Sequence, residues 1–315
     1  LSNQTVRQAS RGPAAAPSQA RELEPIPQQA YPRRTPWSRL RRNPVAMGGL
    51  AVVVAVVVVA LFAPYLAPFD PAAQFPDGLT PDGRPLPPGS RFLLGTDLLG
   101  RDLLSRMIYG ARISLLVGVV ANGAALAIGT GLGVLAGYFR GWIGILFMRF
   151  TDLMMAFPAL ILAIALAAIL RPSLWIVALV ICLVNWVWVA RVIYSQTLSL
   201  SQKEFVEAAR AVGASTSRVL LRHIFPHLWS TMLVWGTLGI STTVLFEASL
   251  SFLGVGVRPP TPSWGGIINE SQSYFLDAPW LVAFPGVAIL LTSLAFNLLG
   301  EGLRDAFDPR QVRNL

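Results

Sequence analysis

The chain has 315 residues, of which 54% are apolar and 13% charged, with a net charge of +9 and a mean hydropathy of +0.57. A soluble domain carries about 25% charged residues, so too little charge is present to coat a water-facing surface. A soluble enzyme or a free nucleic-acid-binding protein is excluded, and the chain belongs in a membrane.

Residues 1–44 are rich in Ala, Pro, Gln and Arg and lack an apolar period. They read as a disordered basic tail ending in Arg33, Arg34, Arg39, Arg41 and Arg42. Beyond it, uncharged gaps mark the spans, because a charge near the bilayer centre costs about 2.5–3.5 kcal/mol. The gaps fall at 45–62, 113–139, 153–170, 173–190, 228–253 (broken by Glu247) and 280–299. The first gives about 27 Å of helix, enough to cross, and 45–66 is taken as the first transmembrane helix. A five-helix core is expected over 113–300, and 301–315 form the C-terminal end. Six spans put both termini on one side. With the tail inside, inner segments carry 18 basic residues and outer segments 7, so both termini are expected in the cytoplasm.

Two connections are too long to be mere links. Residues 67–112, outside, begin as a Pro/Gly-rich coil. They end in 97–112, where Leu98, Leu99, Leu103, Leu104, Met107 and Ile108 recur at helical spacing with Arg101, Asp102, Ser105 and Arg106 between them. That pattern predicts an amphipathic helix lying on the outer surface. The inner connection, 191–227, reads as two short helices around Gly213. Ser201 and Glu204 fit a capping box, Gly213 supplies a C-terminal stop, Ser215–Ser217 offer a second start, and Pro226 limits the second helix.

The inner connection carries a resemblance. Glu207-Ala208-Ala209, Gly213 four residues later and Pro226 thirteen beyond that resemble the EAA motif of bacterial ABC importer permeases. The variant EFVEAARAVGASTSRVLLRHIFPH resembles the dipeptide/oligopeptide/nickel branch, as do LGTDLLGRDLLSRMIYGARISL, LSFLGVGVRPPTPSWGGIINE and NLLGEGLRDAFDPR. The likeness covers roughly residues 37–310 and departs from the branch at His227 and in the long tail. It implies an all-α, six-span permease of the type I (MetI-like) fold in the bacterial inner membrane. It also implies a second, related permease, two cytoplasmic ATPases, an extracytoplasmic binding protein and a short peptide as cargo. By the same likeness Glu207, Ala208, Ala209, Gly213, Ser217 and Pro226 form the loop that docks on an ATPase. The residues agree with that role, since a small-residue face on a short helix suits a groove in a partner.

No cofactor site is expected in this chain. A P-loop needs Lys after a Gly-rich turn, and the only lysine, Lys203, has no glycine near it, so ATP and Mg belong to partner subunits. The lone Cys182 allows no intrachain disulfide, and His223 and His227, with Pro226 between them and no third ligand, make no metal site. Polar groups in spans are pathway or gate candidates: Arg149 with Asp152, either a structural pair or a gate; Asn185; and Glu247, facing the path or a partner. Trp264, with Gly265-Gly266 and the prolines at 259, 260 and 262, suggests a turn dipping into a gate or binding-protein interface. Two other readings stand beside the peptide importer. A proton-coupled secondary transporter would use Glu247 or Asp152 and show an internal repeat, which the sequence lacks. A nickel permease of the same family would need a ligand set that it also lacks.

Overall fold

The computed structural model describes residues 35–170 and 173–307, and among them every regular element is helical. In chain order these are α1 (Pro36–Leu40), α2 (Pro44–Leu61), α3 (Ala63–Leu66), α4 (Leu103–Phe139), α5 (Gly141–Ala156), α6 (Ala159–Ile169), α7 (Leu174–Leu200), α8 (Glu204–Ala211), α9 (Thr216–Arg218), α10 (Phe225–Phe252), α11 (Trp264–Ser271) and α12 (Trp280–Phe307). Five helical paths are long and apolar enough to cross a membrane, and the bent pair α5–α6 makes a sixth candidate.

Several boundaries differ from the sequence reading. Residues 36–40 are helical rather than part of a tail, with Pro36 in the first turn, Thr35 capping, and Leu40 buried against Ala46 and Ala306. Residues 1–34 and 308–315 lie outside the described residues. The surface helix expected at 97–112 is absent as a separate element. Its second half is the start of α4, which runs unbroken for 37 residues, about 55 Å. A hydrocarbon core of about 30 Å leaves the first turns of α4 projecting beyond the bilayer.

The span expected at 153–170 is broken. Phe157 is extended and Pro158 follows it, so α5 and α6 meet at 88°. Proline has no N–H to continue the ladder and pushes the residue before it out of the helical region. Pro226, by contrast, ends nothing. A π-helical stretch, Val219–Ile224, widens the turn just where the proline ring would meet a carbonyl. The helical path therefore continues from Thr216 to Phe252.

Close approach of α4 and α7 organises the core. Gly129, Gly133 and Gly137 form a small-residue stripe on α4, a repeated GxxxG. A Cβ there would lie 2.6 Å from the Trp186 carbonyl oxygen, 2.6 Å from that of Ala190 and 2.8 Å from Thr197 Cβ, respectively. Without a hydrophobic force between helices in lipid, such contact is what joins them. On the other side α10 meets α12 through Ser241 and Ser293, whose hydroxyls are 2.7 Å apart. The Asn122 amide of α4 donates to the Gly236 carbonyl of α10 at 2.6 Å.

Candidate functional site

The inner connection is shorter than expected. Because α7 continues to Leu200 and the α10 path starts at Thr216, only residues 201–215 leave the spans, and they carry α8. The capping box does not form. Ser201 instead closes α7, donating to the Leu198 carbonyl and accepting from the Arg140 guanidinium at 3.0 Å, while Lys203 occupies the cap of α8. Val206 is fully buried among Val189, Ile193, Val219, Ile224 and Leu228, so α8 is pinned to the ends of α7 and α10. The Arg210 guanidinium lies 4.8 Å over the Tyr138 ring, and Phe205 meets His227 at 5.3 Å.

The opposite side of α8 is open. Glu207, Ala208, Ala211 and Gly213 are exposed, Ala209 is half-buried, and Ser217 and Pro226 are exposed beyond the turn. Val212 is 86% exposed and Leu221 70%. Gly213 has φ +80° with no neighbour within 4 Å of a built Cβ, and its turn is closed by the Ala214 amide donating to the Ala209 carbonyl at 3.0 Å. Among the described residues Glu207 has no cationic partner. A short helix with an open small-residue face, two exposed acids (Glu204 and Glu207) and two bare apolar side chains beside it is a surface built for contact.

At the other end, charge is used internally. Arg101 Nε donates to Asp97 at 2.6 Å, and its terminal nitrogen reaches Glu270 of α11 at 2.6 Å. Arg106, almost wholly buried, lies 3.2 Å from Asp97 and 3.0 Å from Glu270. These arginines therefore tie α4 and the 97–101 turn to α11 and do not coat an outer surface. Ahead of them residues 67–102 pack round Phe69, Phe75 and Phe92, whose rings lie 5.0–5.7 Å apart.

Glu247 and Trp264 are likewise engaged inside the chain. Glu247 is fully buried within the chain. It accepts from Ser114 at 2.9 Å and Ser251 at 2.7 Å, the inventory of partners a buried acid requires. Trp264 starts α11 and does not dip from a turn. It is buried, its Nε1 donates to the Met107 carbonyl at 3.0 Å, and it stacks against Gly110. Gly265 is buried in α11 against the backbone of Ala248. The α10 path thus joins the α8 turn at one end to the α4–α11 joint at the other.

Asn185 is half-buried, ahead of the buried Trp186 and the exposed Trp188 on α7. Arg149 and Asp152 do approach, at 3.8 Å, but both are exposed and Asp152 pairs more closely with Arg191. Sequence reasoning misses Arg191 because it ends an uncharged gap and so reads as a boundary. The extension of α7 to Leu200 draws it into the span.

Comparisons with known proteins agree with this architecture. Residues 129–313, more than half of the chain, match the family described as binding-protein-dependent transport system inner membrane component. Residues 32–88 match the N-terminal TM domain of oligopeptide transport permease C. The dipeptide transport system permease protein DppC of Alkalihalophilus pseudofirmus is 40% identical over 290 residues, 91% of this chain and 94% of that protein. The di/tripeptide transport system permease protein DppC of Pseudomonas aeruginosa is 43% identical over 87% of this chain and 91% of its own length. The glutathione transport system permease protein GsiD of Escherichia coli is 44% identical over 88% and 91%. Among solved structures, an inward-facing conformation of the MetNI methionine ABC transporter aligns with a TM-score of 0.55 at 16% identity. That alignment covers 64% of this chain and 97% of the other, a likeness of fold.

Proposed function

Because the chain belongs to the binding-protein-dependent transport system inner membrane component family, we propose that it forms half of the path of an ATP-driven importer of short peptides. The names of its relatives, which specify dipeptide, di/tripeptide and glutathione transport, support peptide cargo. A second, related permease supplies the other half of the path. Two ATPases bind on the inner side, a binding protein delivers cargo outside, and ATP and Mg are held by the ATPases. The chain is read as six spans, counting the bent α5–α6 pair as one, with both termini in the cytoplasm, a reading that the distribution of arginine supports.

The observation that carries this reading is α8: anchored by Val206 on one side, open on the other, and continuous through the Gly213 turn with the α10 path. An ATPase gripping Glu207, Ala208, Ala209 and Gly213 would move the ends of α7 and α10 as it closes and opens. The long α10 path would carry that movement to the joint with α11. Uptake of a labelled tripeptide by vesicles containing the complete complex tests the proposal. Uptake is expected to require ATP and the binding protein. Uptake that survives ATP depletion but collapses with a proton uncoupler would favour the secondary transporter.

A further inference from the structure

Three charged side chains stand where a span carries none by default. Arg191 lies nine residues, about 14 Å, from the Leu200 end of α7, which is itself about 40 Å long. Centred on a hydrocarbon core of about 30 Å, α7 holds Arg191 well below the core boundary. Asp152 lies about 16 Å into α5. The Arg191 and Asp152 side chains are paired yet 45% and 44% exposed, and Arg149, 3.8 Å from Asp152, is 79% exposed. Charges at that depth do not face lipid, because hydrocarbon offers them no solvation; they face water or protein.

The surroundings point to a passage. Trp188 and Ser195, three residues before and four after Arg191, share its exposed side of α7. Phe150 stacks on Trp186 at 6.0 Å behind them. The cluster also has a sign. Two guanidiniums meet one carboxylate, and that carboxylate is engaged by Arg191, so Arg149 keeps donors free. A planar guanidinium matches a carboxylate donor for donor.

Resting on the reading of the chain as part of a peptide path, we propose that Arg149, Asp152 and Arg191 form a waypoint that receives the C-terminal carboxylate of a passing peptide. Arg149 is the main donor, and Asp152 holds Arg191 beside it. Asp152 also reduces the net charge of the cluster to one, so the cargo is held weakly enough to leave, as conduction requires.

The test uses the assembled importer in detergent, without nucleotide or binding protein. It carries Cys182→Ala and Ser195→Cys, with partner cysteines replaced. Labelling at position 195 is followed with the anionic sulfonatoethyl and the cationic trimethylammonium methanethiosulfonates. The anionic reagent is expected to react about fivefold faster or more. Arg149→Gln should bring the ratio towards one, and Asp152→Asn should raise it. A tripeptide with a free carboxylate should slow labelling, while its C-terminal amide should not. Equal rates for the two reagents, or equal protection by acid and amide, would overturn the waypoint. Labelling by neither reagent would place this face against protein and overturn it as well. In each case ATP-dependent tripeptide uptake by the same complex reports separately on the importer reading, which stands if uptake persists.

Discussion

Replacing Gly213 separates backbone conformation from side-chain bulk at the α8 turn. The position has φ +80° and open space around a built Cβ, so no steric clash contributes and the whole cost is conformational. For an ordinary L-residue the left-handed region costs about 1–2 kcal/mol, and a β-branched residue is a greater outlier there. At about 1.4 kcal/mol per factor of ten, Gly213→Ala should lower the population of the native turn about five- to thirtyfold relative to its alternatives, and Gly213→Val more. Asn tolerates the left-handed region, so Gly213→Asn should behave close to wild type although it is larger than Ala. The assay is binding-protein-stimulated ATP hydrolysis in the reconstituted complex, beside recovery of the ATPases on the tagged permease. The expected order of activity is Gly, Asn, Ala, Val, with the spans of every variant inserted normally. Two results would refute the conformational argument. One is Asn as damaging as Val, which would mean that bulk at a packed interface decides; the other is Val indistinguishable from wild type.

Three further outcomes follow from the packing. Gly133→Val should strain the α4–α7 contact, where a Cβ meets the Ala190 carbonyl oxygen at 2.6 Å. A loss of about 1–3 kcal/mol, read as a lower midpoint of thermal unfolding in detergent, is expected, whereas Gly131→Val, with open space at its Cβ, should be near neutral. Glu270→Ala leaves Arg101 and Arg106 short of a partner and should cost about 3 kcal/mol, while Arg84→Ala, whose pair with Asp277 is exposed, should cost about 1 kcal/mol or less. In a Cys182→Ala background, cysteines at Gly89 and Pro260 should react with an impermeant reagent in intact cells, and one at Gly213 only after permeabilisation; the reverse pattern would invert the topology.

Much of the fold was legible because the membrane imposes simple rules. Uncharged gaps located the five long apolar paths but not the bent α5–α6 pair, and Gly213 announced its turn through the small residues before it and the Ser-Thr-Ser start after it. Where the reading failed, partners distant in sequence decided. Arg101 and Arg106 look water-facing until Glu270, more than 160 residues away, is brought beside them. Glu247 looks like a pathway acid until Ser114 and Ser251 surround it. Two local signals were present in the sequence and not used: Pro158 behind Phe157 marks the bend between α5 and α6, and the repeated GxxxG at Gly129, Gly133 and Gly137 marks the α7 contact. Pro226 shows the opposite case, a helix breaker that a π-helical stretch accommodates. Among the site residues, the α8 stretch was readable because its small residues are local in sequence. Arg191 was not, because its depth depends on where α7 ends.

The claim that matters most is that α8 is seated on an ATPase. A photoreactive phenylalanine analogue at Ala208, on the open side of α8, should cross-link the permease to an ATPase subunit in the intact complex, with a yield that changes when ATP is added. The same probe at Leu179, exposed on the opposite end of α7, should give no ATPase adduct. Adducts from Ala208 with lipid alone, in a complex that still hydrolyses ATP, would contradict the account.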